Sequence, residues 1–220
     1  MKKTVWLLGA SGLTGSHLGY LLDDESDIFE VYAPLRTRTK KFKNLIEINV
    51  NFSNLNEIEA LPNPEIVFCC IGTTIKKAGS EEAFLSIDYE LVIQLAQIAL
   101  KKGCLQFHLI SSVGANTQSN VFYLRTKGQV ESDLQKMGFS TTNIYRPSAL
   151  LGKRNETRTG EKIGIGVSKI ISPLFLGPLK KYKPIEAEAV GKVMLNLAKQ
   201  SLQGFHIFES SEIQKMADSI

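Results

Sequence analysis

A short apolar run at residues 4–8 passes straight into Gly9-Ala10-Ser11-Gly12-Leu13-Thr14-Gly15, and leucines at helical spacing follow, Leu13, Leu18, Leu21 and Leu22. This order constrains the fold more than any other feature. A buried strand that leaves through three glycines and re-emerges as a helix needs a tight turn. Glycines there let backbone N–H groups come close to a pyrophosphate, and the helix N-terminus adds a partial positive charge. The spacing is GxxGxxG. A strand–helix turn with no ligand would ask for the same glycines, so the placement after a strand carries the argument for a dinucleotide.

The alternation continues along the chain. Apolar runs at residues 29–35, 45–50, 65–71, 105–111, 141–145 and 205–208 predict strands. Helical spacing predicts helices at 54–61, 82–101, 123–137 and 187–199, with Pro62, Pro64, Gly103 and Gly138 as stops. Strands without a polar face that alternate with helices argue for a parallel sheet covered on both sides. The fold class is therefore α/β, a Rossmann-type doubly wound sheet. Ligands in such sheets bind at the carboxyl ends of the strands, where the strand order reverses.

A chain of 220 residues suits one NAD(P)-binding domain over 1–220, with enough core to need no disulfide or metal. Residues 150–185 break the rhythm with glycine and proline, and hold eight basic residues against two acids, Glu156 and Glu161. They read as a small irregular C-terminal lid or substrate segment. A solvated surface loop fits that composition equally well. Its basic excess points to an anionic substrate.

Charge and cysteine usage exclude some classes. The net charge of +4 fits an anionic small molecule and does not single out nucleic acid. Cys69, Cys70 and Cys104 form no CxxC or Cys/His pattern, so they are expected as reduced core residues in a reducing, cytoplasmic compartment. No uninterrupted apolar run nears 18 residues, so no membrane span is expected. The apolar run behind Met1-Lys2-Lys3 is too short for a secretory leader. His17, His108 and His206 share no ligand spacing, so no metal is expected.

Three further places carry chemistry. The second strand ends in Pro34-Leu35-Arg36-Thr37-Arg38, without the acid that holds ribose hydroxyls in NAD sites. An arginine fork pairs with a 2′-phosphate, so Arg36, and after it Arg38, favour NADP(H) over NAD(H). Two solvated surface arginines are the plain alternative. Tyr123 and Lys127 stand at i and i+4, on one helix face. A nearby ammonium favours the phenolate, and such a tyrosine can exchange a proton with a substrate oxygen. Ser111-Ser112, at the preceding strand end, could hydrogen-bond the same oxygen. Arg146-Pro147 shapes the next strand exit, where a nicotinamide would lie.

In this order the motifs resemble the short-chain dehydrogenase/reductase superfamily, in its atypical, extended-like branch. Cys69-Cys70-Ile71-Gly72-Thr73-Thr74, Lys77-Ala78-Gly79, Ser111-Ser112, Tyr123-Leu124, Lys127-Gly128 and Arg146-Pro147 look most like the Tat-interacting oxidoreductase family and its bacterial relatives. The resemblance covers roughly residues 4–158. It implies that Gly9, Ser11, Gly12, Leu13, Thr14 and Gly15 hold the pyrophosphate. Arg36 and Thr37 would hold the adenosine phosphate, and Ile71, Gly72 and Thr73 would line the cofactor. Tyr123, Lys127 and Ser112 would be catalytic, with Ser111 the rival serine. Lys127 would also bind the nicotinamide ribose, and Leu150 and Arg158 would line the cleft.

Two positions depart from the pattern. Asp88 stands where superfamily members often carry asparagine, which breaks the usual water relay. Asn51 replaces an aspartate near the adenine. The region after residue 150 is also too short for the substrate domain of a sugar-nucleotide epimerase. The expected activity is NADP(H)-dependent oxidation or reduction of a small carbonyl or hydroxyl compound. The alternative is an NADPH-sensing regulatory protein that binds a protein partner.

Overall fold

The computed structural model describes residues 1–152, 183–200 and 202–220. Arg158 and most of the segment expected as a lid lie outside the described residues.

Seven parallel strands form one sheet: β1 (Lys3–Leu8), β2 (Phe29–Leu35), β3 (Ile46–Asn49), β4 (Ile66–Cys69), β5 (Gln106–Ile110), β6 (Thr141–Arg146) and β9 (Gly204–Glu209). Their order is β3-β2-β1-β4-β5-β6-β9. The chain starts at β1, winds outward through β2 and β3, and returns to β4 on the other side of β1. The order reverses between β1 and β4, which opens a crevice at their carboxyl ends. Two short strands, β7 (Leu150–Leu151) and β8 (Ile185–Glu186), pair separately. This is the doubly wound α/β sheet read from the sequence.

Helices cover both faces, which explains why strand positions are apolar without alternation. Val5 and Leu7 of β1 face one core, with Leu18 and Leu22 of α1 (Leu13–Asp24) and Val190 and Met194 of the helix Ala187–Gln200. Trp6 and Leu8 face the other, with Ile58 of α2 (Asn56–Glu59), Val92 and Leu95 of α5 (Leu91–Lys101), and Val130 and Leu134 of α6 (Phe122–Met137).

The helix expected over 82–101 is not regular. It runs as α4 (Glu81–Leu85), a π-helical turn (Ser86–Glu90) and α5, with the Leu91 N–H donating to Ser86 O across the wide turn. By length and composition alone, Glu81–Lys101 could cross a membrane. Here it packs on the sheet, and the buried Asp88 sits at its centre. Two helices were not expected: the single turn α3 (Ile75–Ala78) and a last helix, Ser210–Ala217. The latter carries a capping box between Glu209 and Glu212. Cys69 and Cys104 are buried as expected, whereas Cys70 is half-buried.

His108 sits in the middle of the sheet, fully buried. Its ring nitrogens lie 2.9 Å from Tyr145 Oη and 3.3 Å from Gln106 Oε1. Burial pulls its pKa down to about 3. In the unfolded chain it titrates near ~6.5. The folded state therefore refuses a proton that the unfolded state takes, and stability falls as pH drops below that value. Between pH 7 and pH 5 this one group should remove roughly 2 kcal/mol. Urea denaturation at both pH values should show a smaller loss for His108→Gln than for the wild type; equal losses would refute the assignment.

Candidate active site

The glycine loop leaves β1 at the crevice. Gly9 has φ +84°, and a Cβ there would lie 2.7 Å from the Cys70 carbonyl. A Cβ on Gly15 would lie 2.2 Å from Gly9 O. A side chain is thus excluded at Gly9 by contact and by backbone conformation, and at Gly15 by contact. The Gly12 N–H donates to Gly9 O at 2.9 Å, which closes the turn. Gly12 is the N-cap of α1 and offers no side chain to cap it, and the first turn carries no acid. The helix therefore presents uncapped N–H groups and an uncompensated positive end. Ser11 and Gly12 are exposed, and Leu13 is half-buried. Thr14 is buried, and its Oγ1 has no hydrogen-bond partner among the described residues.

β2 pairs with β1 so that Tyr32 stands opposite Trp6. β2 runs on to Leu35, and Arg36 and Thr37 follow past the strand end, both exposed. Neither makes a side-chain hydrogen bond or ion pair among the described residues. The Arg38 backbone N–H donates to Asn49 Oδ1 at 3.0 Å. Asn51 Oδ1 accepts the Ser53 N–H at 3.0 Å, so this carboxamide serves its own turn.

At the end of β4 the chain passes through half-buried Ile71, exposed Gly72 and half-buried Thr73. Next to them stands a buried ion pair. Lys127 Nζ lies 2.7 Å from Asp88 Oδ1, with side chains 5% and 0% exposed. The other carboxylate oxygen accepts the Thr73 N–H at 2.8 Å. A Cβ on Gly72 would fall 3.4 Å from Asp88 Oδ1 and 3.6 Å from Lys127 Nζ, so only backbone separates the pair from the open edge. Burial works to lower the Lys127 pKa, but Asp88, with Tyr123 and Cys69, overcomes it and holds the ammonium above its ordinary value. Tyr123 is half-buried one turn earlier, its ring 5.4 Å from that of Phe84.

The two serines at the end of β5 are not equivalent. Ser111 is buried, and its Oγ donates to Glu131 Oε1. Glu131 also takes Arg146, with Nε at 3.0 Å from Oε1 and Nη2 at 2.5 Å from Oε2. Arg146 Nη1 reaches Glu209 at 2.9 Å. The sequence read Arg146-Pro147 as shaping the strand exit where a nicotinamide would lie. In the structure its guanidinium locks α6, β6 and β9 together, and Glu131 pushes its pKa up. Ser112 is half-buried, and among the described residues its Oγ makes one contact, 3.4 Å from Val113 O. Leu150, in β7, is half-buried.

Sequence reasoning missed the Glu131–Arg146–Glu209 clamp. It met Asp88 only as a departure from a pattern and gave it no partner. Glu131 stands four residues after Lys127, a spacing that puts both on one side of α6. Among the described residues no group of three His, Cys, Asp or Glu could hold a metal.

Comparison with known proteins follows this geometry. A family model described as HIM1 matches residues 24–176. The chain is 32% identical over 230 aligned residues to Protein FMP52, mitochondrial, of Candida albicans, covering 99% of each. It is 36% identical over 165 residues to Protein HTATIP2 of Rattus norvegicus, covering 72% of this chain and 67% of that one. It superposes on the Bordetella bronchiseptica enzyme WbmH, solved with NAD+, with a TM-score of 0.72 at 16% identity, covering 100% of this chain and 80% of that one. The last likeness is one of fold. The cytoplasmic location expected from the unpaired cysteines is overturned: fungal relatives aligned over most of the chain are named mitochondrial proteins.

Proposed function

We propose, from the premise that the chain belongs to the HIM1 family, that it is an NADP(H)-dependent oxidoreductase of the short-chain dehydrogenase/reductase type. Its substrate would be a small carbonyl or hydroxyl compound, for which the basic excess over residues 150–185 suggests an anion. The carrying observation is one juxtaposition. The loop that excludes a Cβ at Gly9 and Gly15, the Gly72–Thr73 exit and the Tyr123–Lys127 face meet at the carboxyl ends of β1 and β4.

The residues present fit a dinucleotide. An uncapped helix N-terminus, a Thr14 hydroxyl with no partner among the described residues and a cradle that a Cβ would fill suit a pyrophosphate. The exposed Arg36, which has no ion pair among the described residues, and the exposed Thr37 suit a 2′-phosphate. Ile71, Gly72, Thr73 and Leu150 would line the cleft.

When bound, the nicotinamide supplies the hydride that the substrate carbon accepts. Tyr123 gives its phenolic proton to the substrate oxygen as the C=O π pair becomes the new O–H bond. Ser112 Oγ donates to that oxygen and orients it. The Lys127 ammonium faces the tyrosine and offers N–H donors to the ribose. In the oxidising direction the same proton returns to Tyr123.

Calorimetric titration with NADPH and NADH tests the cofactor assignment. Arg36→Ala should weaken NADPH binding about tenfold or more and leave NADH nearly unchanged, the size expected for one lost charge-assisted contact. Equal effects on both nucleotides would refute the 2′-phosphate role. Oxidation of NADPH against a panel of aldehydes and ketones then tests turnover.

A further inference from the structure

The wide π-helical turn does specific work. An α-helix would send consecutive side chains about 100° apart, whereas the extra residue of a π-turn widens the ring and shifts the face presented. Here two consecutive residues both reach α6. Asp88 pairs with Lys127 at 2.7 Å, and Tyr89 Oη donates to Asp133 Oδ2 at 2.8 Å. The turn is clamped to the catalytic helix at two points six residues apart.

Asp88 is also the least exposed carboxylate among the described residues, at 1%. Burying a carboxylate is costly unless it is paired and hydrogen-bonded. It meets both conditions, and each partner belongs to the proposed site: the Lys127 ammonium and the N–H of Thr73. An asparagine could accept the Thr73 N–H just as well. Only the negative charge distinguishes the aspartate.

We propose that Asp88 is a positioning residue for the proton transfer: its buried carboxylate anchors Lys127, ties it to the Gly72–Thr73 wall, and offsets the positive charge that Lys127 presents to Tyr123. This rests on the oxidoreductase reading and deepens it. A bare ammonium beside a phenol would draw off the proton; a compensated one leaves it in place. The other groups facing Lys127 do not supply this charge. Cys69 comes from β4, its thiol raised to about 11 by burial, and Tyr123 comes from the same helix. Glu131, one turn on, is turned to Ser111 and Arg146.

Asp88→Asn removes the charge and keeps the shape. In the cofactor-free protein, phenolate formation is read by ultraviolet difference absorbance and assigned by its loss in Tyr123→Phe. It should move about one pH unit lower in Asp88→Asn, the low end of the shift one buried charge exerts. The alkaline limb of kcat/KM for carbonyl reduction should move with it, and Asp88→Glu should restore most of both. With Lys127→Met as background, Asp88→Asn should shift the phenolate by less than half as much. No shift, or an equal shift in that background, overturns the proposal.

A further measurement needs no Asp88 variant. Nitrogen-15 spectra of labelled lysine, assigned with Lys127→Met, should show the Lys127 ammonium protonated throughout the phenolate transition. Earlier deprotonation would overturn the proposal. A wild-type protein that binds NADPH but reduces no carbonyl would count against the oxidoreductase reading alone, because both titrations are read without turnover.

Discussion

Gly15→Ala should abolish measurable NADPH binding, raising Kd at least about 100-fold, which is ~2.7 kcal/mol. The added methyl would stand 2.2 Å from Gly9 O and 2.9 Å from Gly9 C, inside any tolerable contact. Neither atom belongs to a side chain that could swing away. The backbone must move, and it is the backbone whose N–H groups would hold the pyrophosphate. Losing two charge-assisted hydrogen bonds, at roughly 1.5–3 kcal/mol each, already exceeds the predicted change. Calorimetry should show the loss, and circular dichroism should show the same helix content, since Gly15 packs against the loop and not against the sheet core. Retained nanomolar-to-micromolar binding would mean that the nucleotide, if held at all, is held elsewhere.

Tyr123→Phe should lower kcat for carbonyl reduction by about 10²–10⁴-fold, the usual contribution of a positioned proton donor. The change removes one oxygen and keeps the ring that packs on Phe84 at 5.4 Å. Cofactor affinity should therefore stay within about threefold. The variant separates chemistry from binding: a large loss in kcat with unchanged Kd supports the donor role. A parallel loss of NADPH affinity would make Tyr123 a binding residue, and unchanged kcat would remove it from the reaction.

Much of the sheet was legible because its strands are buried on both faces. Residues 29–35 form β2 as expected, and the order of strands and helices through β6 follows the apolar runs. The π-turn was not legible. It inserts one residue inside an apolar helix, and both halves still show helical spacing, so the pattern averages over the fault. What it does to Asp88 depends on a lysine 39 residues away, across another helix.

The serine pair shows the same limit in the site. Ser111 and Ser112 are adjacent and chemically identical, and only the fold decides that Glu131 takes the first. The clamp on Arg146 was hidden for the same reason, since its partners Glu131 and Glu209 come from α6 and the end of β9. The last helix did leave a signal, glutamates three apart at 209 and 212 that cap it reciprocally, and the reading passed over it.

β1 precedes the other strands of the sheet in the chain and lies inside it, between β2 and β4. The Gly9 turn closes against Cys70, whose N–H bonds to Leu8 O at 2.8 Å. During synthesis the first strand therefore gains a neighbour on one side when β2 emerges, but its other edge stays bare until β4 follows. Through that interval Val5, Trp6, Leu7 and Leu8 present an open ladder and an apolar surface to whatever is near. The nucleotide cradle has no floor until the same moment. On the ribosome, the bare edge of the first strand and the unfinished glycine turn are one place, and both are completed by the arrival of a single strand.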